Sequence, residues 1–122
     1  MSKNIGNTIY DRSINYYETD QMGIVHHSNY IRYFEEARLD MMEQVGLSYA
    51  AMEEHGLIIP VLSVACEYIK PVLFGEKVQI HTRLVKFDGI KMQFVYEIYC
   101  EGELRTKGES RHCFLDKEMK PV

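Results

Sequence analysis

Residues 16–38 read YYETDQMGIVHHSNYIRYFEEAR. An aromatic, strand-like run closes on Glu18-Thr19-Asp20, a loop with Gly23 and the pair His26-His27 follows, and from Asn29 the pattern turns helical. Tyr30, Phe34, Ala37, Met41 and Val45 recur at steps of four, three, four and four. That is the single apolar stripe of an amphipathic helix. Arg32, Glu36, Asp40 and Glu43 fall off the stripe. Gly46 stands where a glycine would cap the helix C-terminus. A second short helical stretch, SYAAMEEHG, is expected to stop at Gly56.

Working outward, TIYDRSINYY (8–17) has the Tyr and Ile content of a strand. Everything after Gly56 reads as sheet. LIIPVLSVACEYI (57–69) is β-rich, with Pro60 near its start, where a strand tolerates it. PVLFGEK is a turn region. VQIHTRLVKF (78–87) alternates Val78, Ile80, Thr82 and Leu84 against polar residues, and Asp88-Gly89 marks a hairpin. IKMQFVYEIYC (90–100) alternates Met92, Phe94, Tyr96 and Ile98 against Gln93, Val95, Glu97 and Tyr99. EGE (101–103) turns the chain into LRTKGESRHCFL (104–115), where Gly108 is expected to mark a bulge. One strand, one long helix and four turn-linked strands predict an α+β domain over 1–122: a five-stranded antiparallel sheet with the helix buried against it. Val95 and Tyr99 make the strand at 90–100 apolar on both faces. The uncovered face predicts a homodimer at least.

The 122 residues fit one domain and can bury roughly two-thirds of the unfolded surface. A net charge of −4 argues against nucleic acid and anionic membranes as broad electrostatic partners. No apolar run approaches the roughly 20 residues that cross a bilayer, so no membrane insertion is expected. MSKNIGNTIYDRS lacks the apolar core of a secretory signal. The three cysteines, Cys66, Cys100 and Cys113, have no zinc-type spacing and read as small buried hydrophobes. A cytoplasmic protein with reduced thiols is the expectation.

Phosphate-cradling loops, the G-x-S-x-G elbow, the dinucleotide fingerprint and metal-ligand spacings are all missing from the sequence. Adjacent His26 and His27 diverge in regular structure and make a poor metal pair. The loop before the helix is more informative. The first four N–H groups of a helix lack intrahelical acceptors and favour developing negative charge. An oxyanion donor can therefore come from His27, Ser28 or Asn29. Asp20 lies seven residues upstream of His27 and can fold back toward the helix start, with Met22, Ile24 and Val25 to dry its surroundings. A carboxylate there serves as nucleophile or general base. The plainer alternatives are a capping or turn Asp20, two loop histidines, and a Glu35 that pairs with Arg38 or Arg32 on the helix flank.

The segment resembles the active-site region of the 4-hydroxybenzoyl-CoA thioesterase family, closest to the branch with the Tol–Pal-associated acyl-CoA thioesterases. The resemblance rests on Tyr17, Thr19-Asp20, Gly23-Ile24-Val25, His27, Asn29-Tyr30, Phe34-Glu35 and Ala37-Arg38. PVLSVACEYIKPVLFGEKVQIHTRL agrees more loosely and extends the likeness over nearly the whole chain. The family's hot-dog fold, a long helix wrapped by an antiparallel sheet, matches the independent reading above.

The resemblance implies hydrolysis of an acyl-CoA thioester to a free acid and coenzyme A, with no metal or redox cofactor. It implies that Asp20 is the catalytic carboxylate and that the backbone N–H of His27 is the oxyanion donor, its side chain orienting substrate or moving a proton. Glu35 matches an acidic position reading the far end of the acyl group. Ile58, Ile59 and Pro60 match a pocket wall contributed by a neighbouring subunit of a homodimer or homotetramer. Two departures stand out. His26 replaces a common aromatic, and Lys86 and Lys91, with Arg83, stand near where some relatives grip the coenzyme A phosphates with arginines. The alternatives are a non-catalytic acyl-CoA-binding module and an acyl-carrier-protein thioesterase. A dehydratase of the same fold places its His and acid at other spacings.

Overall fold

Strict alternation in the two central strands builds the surface on which the helix lies. The computed structural model describes residues 6–44, 49–88, 90–116, 118 and 120. In chain order these form β1 (Gly6–Ser13), a 3₁₀ turn (Tyr16–Glu18), α1 (Ser28–Gln44), α2 (Tyr49–Glu54), β2 (Val61–Tyr68), β3 (Lys77–Phe87), β4 (Lys91–Cys100) and β5 (Glu103–Cys113). The five strands make one antiparallel sheet in the order β1-β3-β4-β5-β2. Val78, Ile80 and Thr82 of β3 and Met92, Phe94, Tyr96 and Ile98 of β4 are buried on the inner face. The apolar stripe of α1 closes that face with Tyr30, Tyr33, Phe34, Ala37, Met41 and Met42. This is the expected hot-dog arrangement.

Several boundaries differ from the sequence reading. The strand expected over 8–17 ends at Ser13, because the Asn15 N–H bonds the Glu18 carboxylate and turns the chain into a 3₁₀ turn. Val45, Gly46 and Gly89 lie outside the described residues. The turn after β4 is the pair Glu101-Gly102, both left-handed at φ 51° and 78°, which matches the twist of a two-residue hairpin.

Gly108 is not a bulge. It pairs in register with Tyr96 on one side and Cys66 on the other, and the register shifts fall elsewhere. Its role is steric. A methyl group at residue 108 would overlap the Phe34 ring and lie 3.1 Å from the Ala65 carbonyl oxygen. Phe34 enters that gap and stacks on Tyr96, centroids 4.4 Å apart and planes 11° from parallel. The alternation of β5 thus contains one missing side chain, and a helix aromatic fills it.

Beneath the helix runs a polar chain. Arg38 Nη1 donates to the Tyr96 hydroxyl at 3.4 Å. That hydroxyl lies 2.6 Å from Ser110 Oγ, and Ser110 Oγ lies 2.7 Å from His112 Nε2. His112 is fully buried, its ring edge-on to Phe94, and its Nδ1 has no partner among the described residues.

β2 has the opposite character. Seven of its eight residues are exposed, and among the described residues it pairs only with β5, which leaves its other edge open there. The outer-face residues Val95 and Tyr99 of β4 are half-buried.

Two outcomes follow. Gly108→Ala should lose about 1–3 kcal/mol through overpacking against Phe34, read as a lower urea midpoint at unchanged slope. His112 should shape the acid limb of stability. Burial, aided by the nearby Arg38 charge, lowers its pKa from 6.5 to about 4. Unfolded chains therefore take up a proton below pH 6.5 that the folded chain refuses until about pH 4. Stability should fall across that window by up to about 1.4 kcal/mol per pH unit. Urea midpoints from pH 7 to 4 should show a flatter slope for His112→Gln; an unchanged slope would exclude His112 as the titrating group.

Candidate active site

Arg12, near the end of β1, ties the loop to the helix. Its Nε and Nη2 hold the Glu36 carboxylate of α1 at 2.8 and 3.0 Å, and its Nη1 holds Glu18 at 2.5 Å. The guanidinium lies 4.5 Å over the Tyr33 ring. Glu18 is buried, and its carboxylate also accepts the Asn15 N–H at 2.9 Å. Burial alone would raise its pKa, but Arg12 and the Asn15 amide outweigh that and hold it below the usual carboxylate value. The Glu18 carbonyl accepts the His26 N–H and the Asn29 side-chain amide, both at 2.9 Å. One buried residue therefore fixes both ends of the segment between Asp20 and His27.

Within that segment Asp20 makes a local turn. Its Oδ1 accepts the N–H groups of Met22 at 2.8 Å and Ile24 at 3.3 Å, and its own N–H donates to the Ile24 carbonyl at 2.8 Å. Gly23, at φ +77°, permits the reversal. Among the described residues nothing donates to Oδ2, so one carboxylate oxygen is left for a substrate or a water. The expected drying of Asp20 is partial. Val25 is buried and Ile24 half-buried, but Met22 is exposed, as is Asp20 itself.

The helix start narrows the choice of donor. The Ser28 N–H approaches His26 Nδ1 at 3.3 Å, the Asn29 N–H donates to the His26 carbonyl at 2.9 Å, and the Tyr30 N–H donates to the His27 carbonyl at 3.3 Å. Of the three donors named from sequence, only the His27 N–H has no acceptor among the described residues. The two imidazoles do not diverge, as regular structure would require. They lie in a loop and stack, with centroids 4.3 Å apart.

A groove of about 430 Å³ brings Asp20, His26, His27 and Tyr30 together, facing Tyr68, Ile69, Lys70 and Pro71 across it. A second groove, about 400 Å³, joins Glu35 and Arg38 to Leu39, Met42, Met52, Ile59, Pro60 and Val61. Glu35 forms no ion pair with Arg38 or Arg32 among the described residues. Ile59 and Pro60, expected as a pocket wall from a neighbouring subunit, share a groove with Glu35 of their own chain. A third groove, about 590 Å³, holds Lys86 and Lys91 beside Ser63, Gln93 and Arg111. Arg83 does not line it.

The predicted residues thus fall into separate places. Asp20 and His27 lie at the Tyr68 end of β2, while Glu35, Ile59, Pro60, Lys86 and Lys91 lie at the Val61 end. The strand between spans about 24 Å.

Sequence reasoning missed Tyr68, Lys70 and Arg111. Tyr68 and Lys70 close the first groove only because β2 and the following loop fold back over the helix start. The signal for Arg111 was its place on the outer face of β5 opposite Gln93. Lys70 is exposed and paired with Glu103 at 2.6 Å. Burial raises the Cys66 and Cys100 thiol pKa values, which makes them poor nucleophiles. Among the described residues no cluster of three or more His, Cys, Asp or Glu side chains could hold a metal ion. Nor is any helix there long and apolar enough to cross a membrane.

Comparison with known proteins shows the family. Residues 14–122 match the model of the thioesterase-like superfamily. YneP of Bacillus subtilis, named as a candidate acyl-CoA thioesterase, is 40% identical over 111 residues, covering 89% of this chain and 80% of its own. The acyl-CoA thioester hydrolase YbgC of Escherichia coli O6:H1 is 28% identical over 109 residues, covering 87% and 81%. The structure of the DHNA-CoA thioesterase from Staphylococcus aureus superposes with a TM-score of 0.90 at 37% identity, covering 95% of this chain and 79% of that one. With the family model spanning nearly all of the chain and the hot-dog architecture shared throughout, this protein belongs to the thioesterase-like superfamily.

Proposed function

We propose that the protein is an acyl-CoA thioesterase in which Asp20 and the helix start around His27 form the hydrolytic centre. The observation that carries the reading is that Asp20, with one carboxylate oxygen unbonded among the described residues, and His27, whose backbone N–H has no acceptor among them, line one groove. Either Asp20 takes a proton from water as that water adds to the thioester carbonyl carbon, or Asp20 attacks the carbon itself and, once the thiolate has left, water hydrolyses the mixed anhydride to the free acid. The carbonyl oxygen becomes an oxyanion, which the His27 N–H and the helix dipole stabilise. The C–S bond breaks, and coenzyme A leaves as the thiol after gaining a proton. The chemistry requires no metal or redox group, and coenzyme A enters only as part of substrate and product. The sequence resemblance favours the chemistry of the 4-hydroxybenzoyl-CoA thioesterase family within the superfamily, in the cytoplasm.

The working unit is a dimer. A two-fold axis that pairs the open β2 edges antiparallel sets the Val61 end of one strand beside the Tyr68 end of the other. That pairing covers the exposed edge. It also carries Lys86, Lys91 and Arg111 of one copy toward Asp20 and His27 of the second. The cations suit the coenzyme A phosphates, and Glu35, Ile59 and Pro60 suit the acyl group.

Thiol release from short, long and aromatic acyl-CoAs tests the reading. Asp20→Asn should fold and assemble normally and lose roughly 10²–10⁴-fold in turnover. Tight acyl-CoA binding without release would move the reading to the non-catalytic module, and release only from carrier-protein thioesters would change the carrier. Subunit mixing tests the dimer. Asp20→Asn chains and Lys86→Glu/Lys91→Glu chains should each be weak alone. Refolded together in equal amounts, they should recover about a quarter of parental activity, since half the dimers then hold one intact site. No recovery would place all the groups of a site on one chain.

A further inference from the structure

Arg38 differs from the other half-buried arginines. Arg12 holds Glu18 and Glu36, and Arg105 holds Glu76 and Glu103. Arg38 has no carboxylate at ion-pair distance among the described residues. Among the described residues its one hydrogen bond, to Tyr96, is long at 3.4 Å. Its groove is walled by Met42, Ile59 and Pro60, with Glu35 on the exposed rim. A guanidinium carries five N–H donors and no acceptor. Half-burying it against apolar side chains is costly unless an acceptor arrives.

The chain beneath it gives a second, independent observation. Because Arg38 can only donate, the Tyr96 oxygen accepts. Its own O–H can go to Ser110 and the Ser110 O–H to His112 Nε2, which puts the imidazole proton on the buried Nδ1; the opposite run leaves the Tyr96 O–H over instead. Either way three protons fill two links, so among the described residues one donor of the chain stays orphaned while Arg38 holds Tyr96. If Arg38 turns to a ligand oxygen, the chain can reverse. His112 Nε2–H then donates to Ser110 and Ser110 to Tyr96. The orphan donor becomes the buried Tyr96 O–H, which Arg38 separates from the groove.

We infer that Arg38 is the specificity-determining residue for the acyl group, and that its groove selects acyl groups whose far end carries an acceptor oxygen over those ending in plain alkyl. The inference rests on the thioesterase reading for the identity of its ligand. The oxygen can be a neutral hydroxyl or a carboxylate. Glu35 would accept the proton of the first and repel the second.

Non-hydrolysable S-alkyl coenzyme A thioethers of equal length, ending in methyl, hydroxyl or carboxylate, separate the questions. By calorimetry, the parent should bind an oxygen-ended ligand about ten- to a hundredfold more tightly than the methyl-ended one. Arg38→Met should bring that ratio near one, and Tyr96→Phe should keep most of it. Should Arg38→Met fail to fold, Arg38→Lys should keep the charge and only part of the ratio. Either oxygen end satisfies the inference, and their order tells whether the occupant is neutral or anionic. Equal binding of all three ligands, or a preference that survives Arg38→Met, would overturn it. Absence of thiol release from the matching thioesters, with the preference intact, would overturn the thioesterase reading alone.

Discussion

The Phe34 ring sits in a gap that any side chain at residue 108 would fill, and the height of the helix above the sheet depends on that fit. Interiors pack to crystalline density, so a helix cannot hover over a sheet at an arbitrary distance. Here the distance is set where Phe34 slides in beside the bare Gly108 backbone and stacks on Tyr96. The same contact places Tyr96 under α1, close enough for Arg38 to reach its hydroxyl. The buried chain through Ser110 to His112 follows from that height, and so does the groove on the flank of α1. A change at an apparently inert glycine would thus reach polar groups well beyond its own neighbours.

The second constraint is electrostatic and local. Surface ion pairs such as Lys70–Glu103 are solvated and screened and contribute little. Arg12 is different. It is largely shielded, bonds Glu36 through two N–H groups, bonds a buried Glu18 and lies over Tyr33. Charge-assisted bidentate contacts of this kind fix orientation as well as adding energy. The result is a loop whose two ends hang from one buried carboxylate residue. Asp20 is thereby exposed while the loop that carries it is held from below.

The third constraint is the open edge. A strand with seven exposed residues and an unpaired rim is a liability in a lone chain. Here that edge also separates Asp20 and His27 from Lys86, Lys91, Glu35, Ile59 and Pro60 by most of its length. Covering the edge with a second copy would answer both problems with one interface.

The elements were legible because each depends on near neighbours in the chain. The four-three-four-four spacing from Tyr30 marks α1, and the alternation of β3 and β4 marks the inner face residue by residue. The region around Asp20 and His27 was legible because a strand end, a glycine loop and a helix start are consecutive, and the family resemblance rests on the same residues. Pairing across the fold was not legible. Gly108 looked like a bulge because nothing in the sequence says that Phe34, more than seventy residues away, occupies its missing side chain. Strand 8–17 looked continuous because the Asn15–Glu18 bond that breaks it is held by Arg12 and Glu36. The meeting of Glu35 with Ile59 and Pro60 in one groove, the separation of Lys86 and Lys91 from Asp20, and the chain from Arg38 to His112 all depend on which strands lie side by side. Periodicity and local hydrogen bonding are written in the order of residues, so the sequence by itself determined the elements and the loop chemistry. Distances between remote side chains arise only when the sheet order β1-β3-β4-β5-β2 closes around the helix, so only the tertiary structure decided which groups share a site.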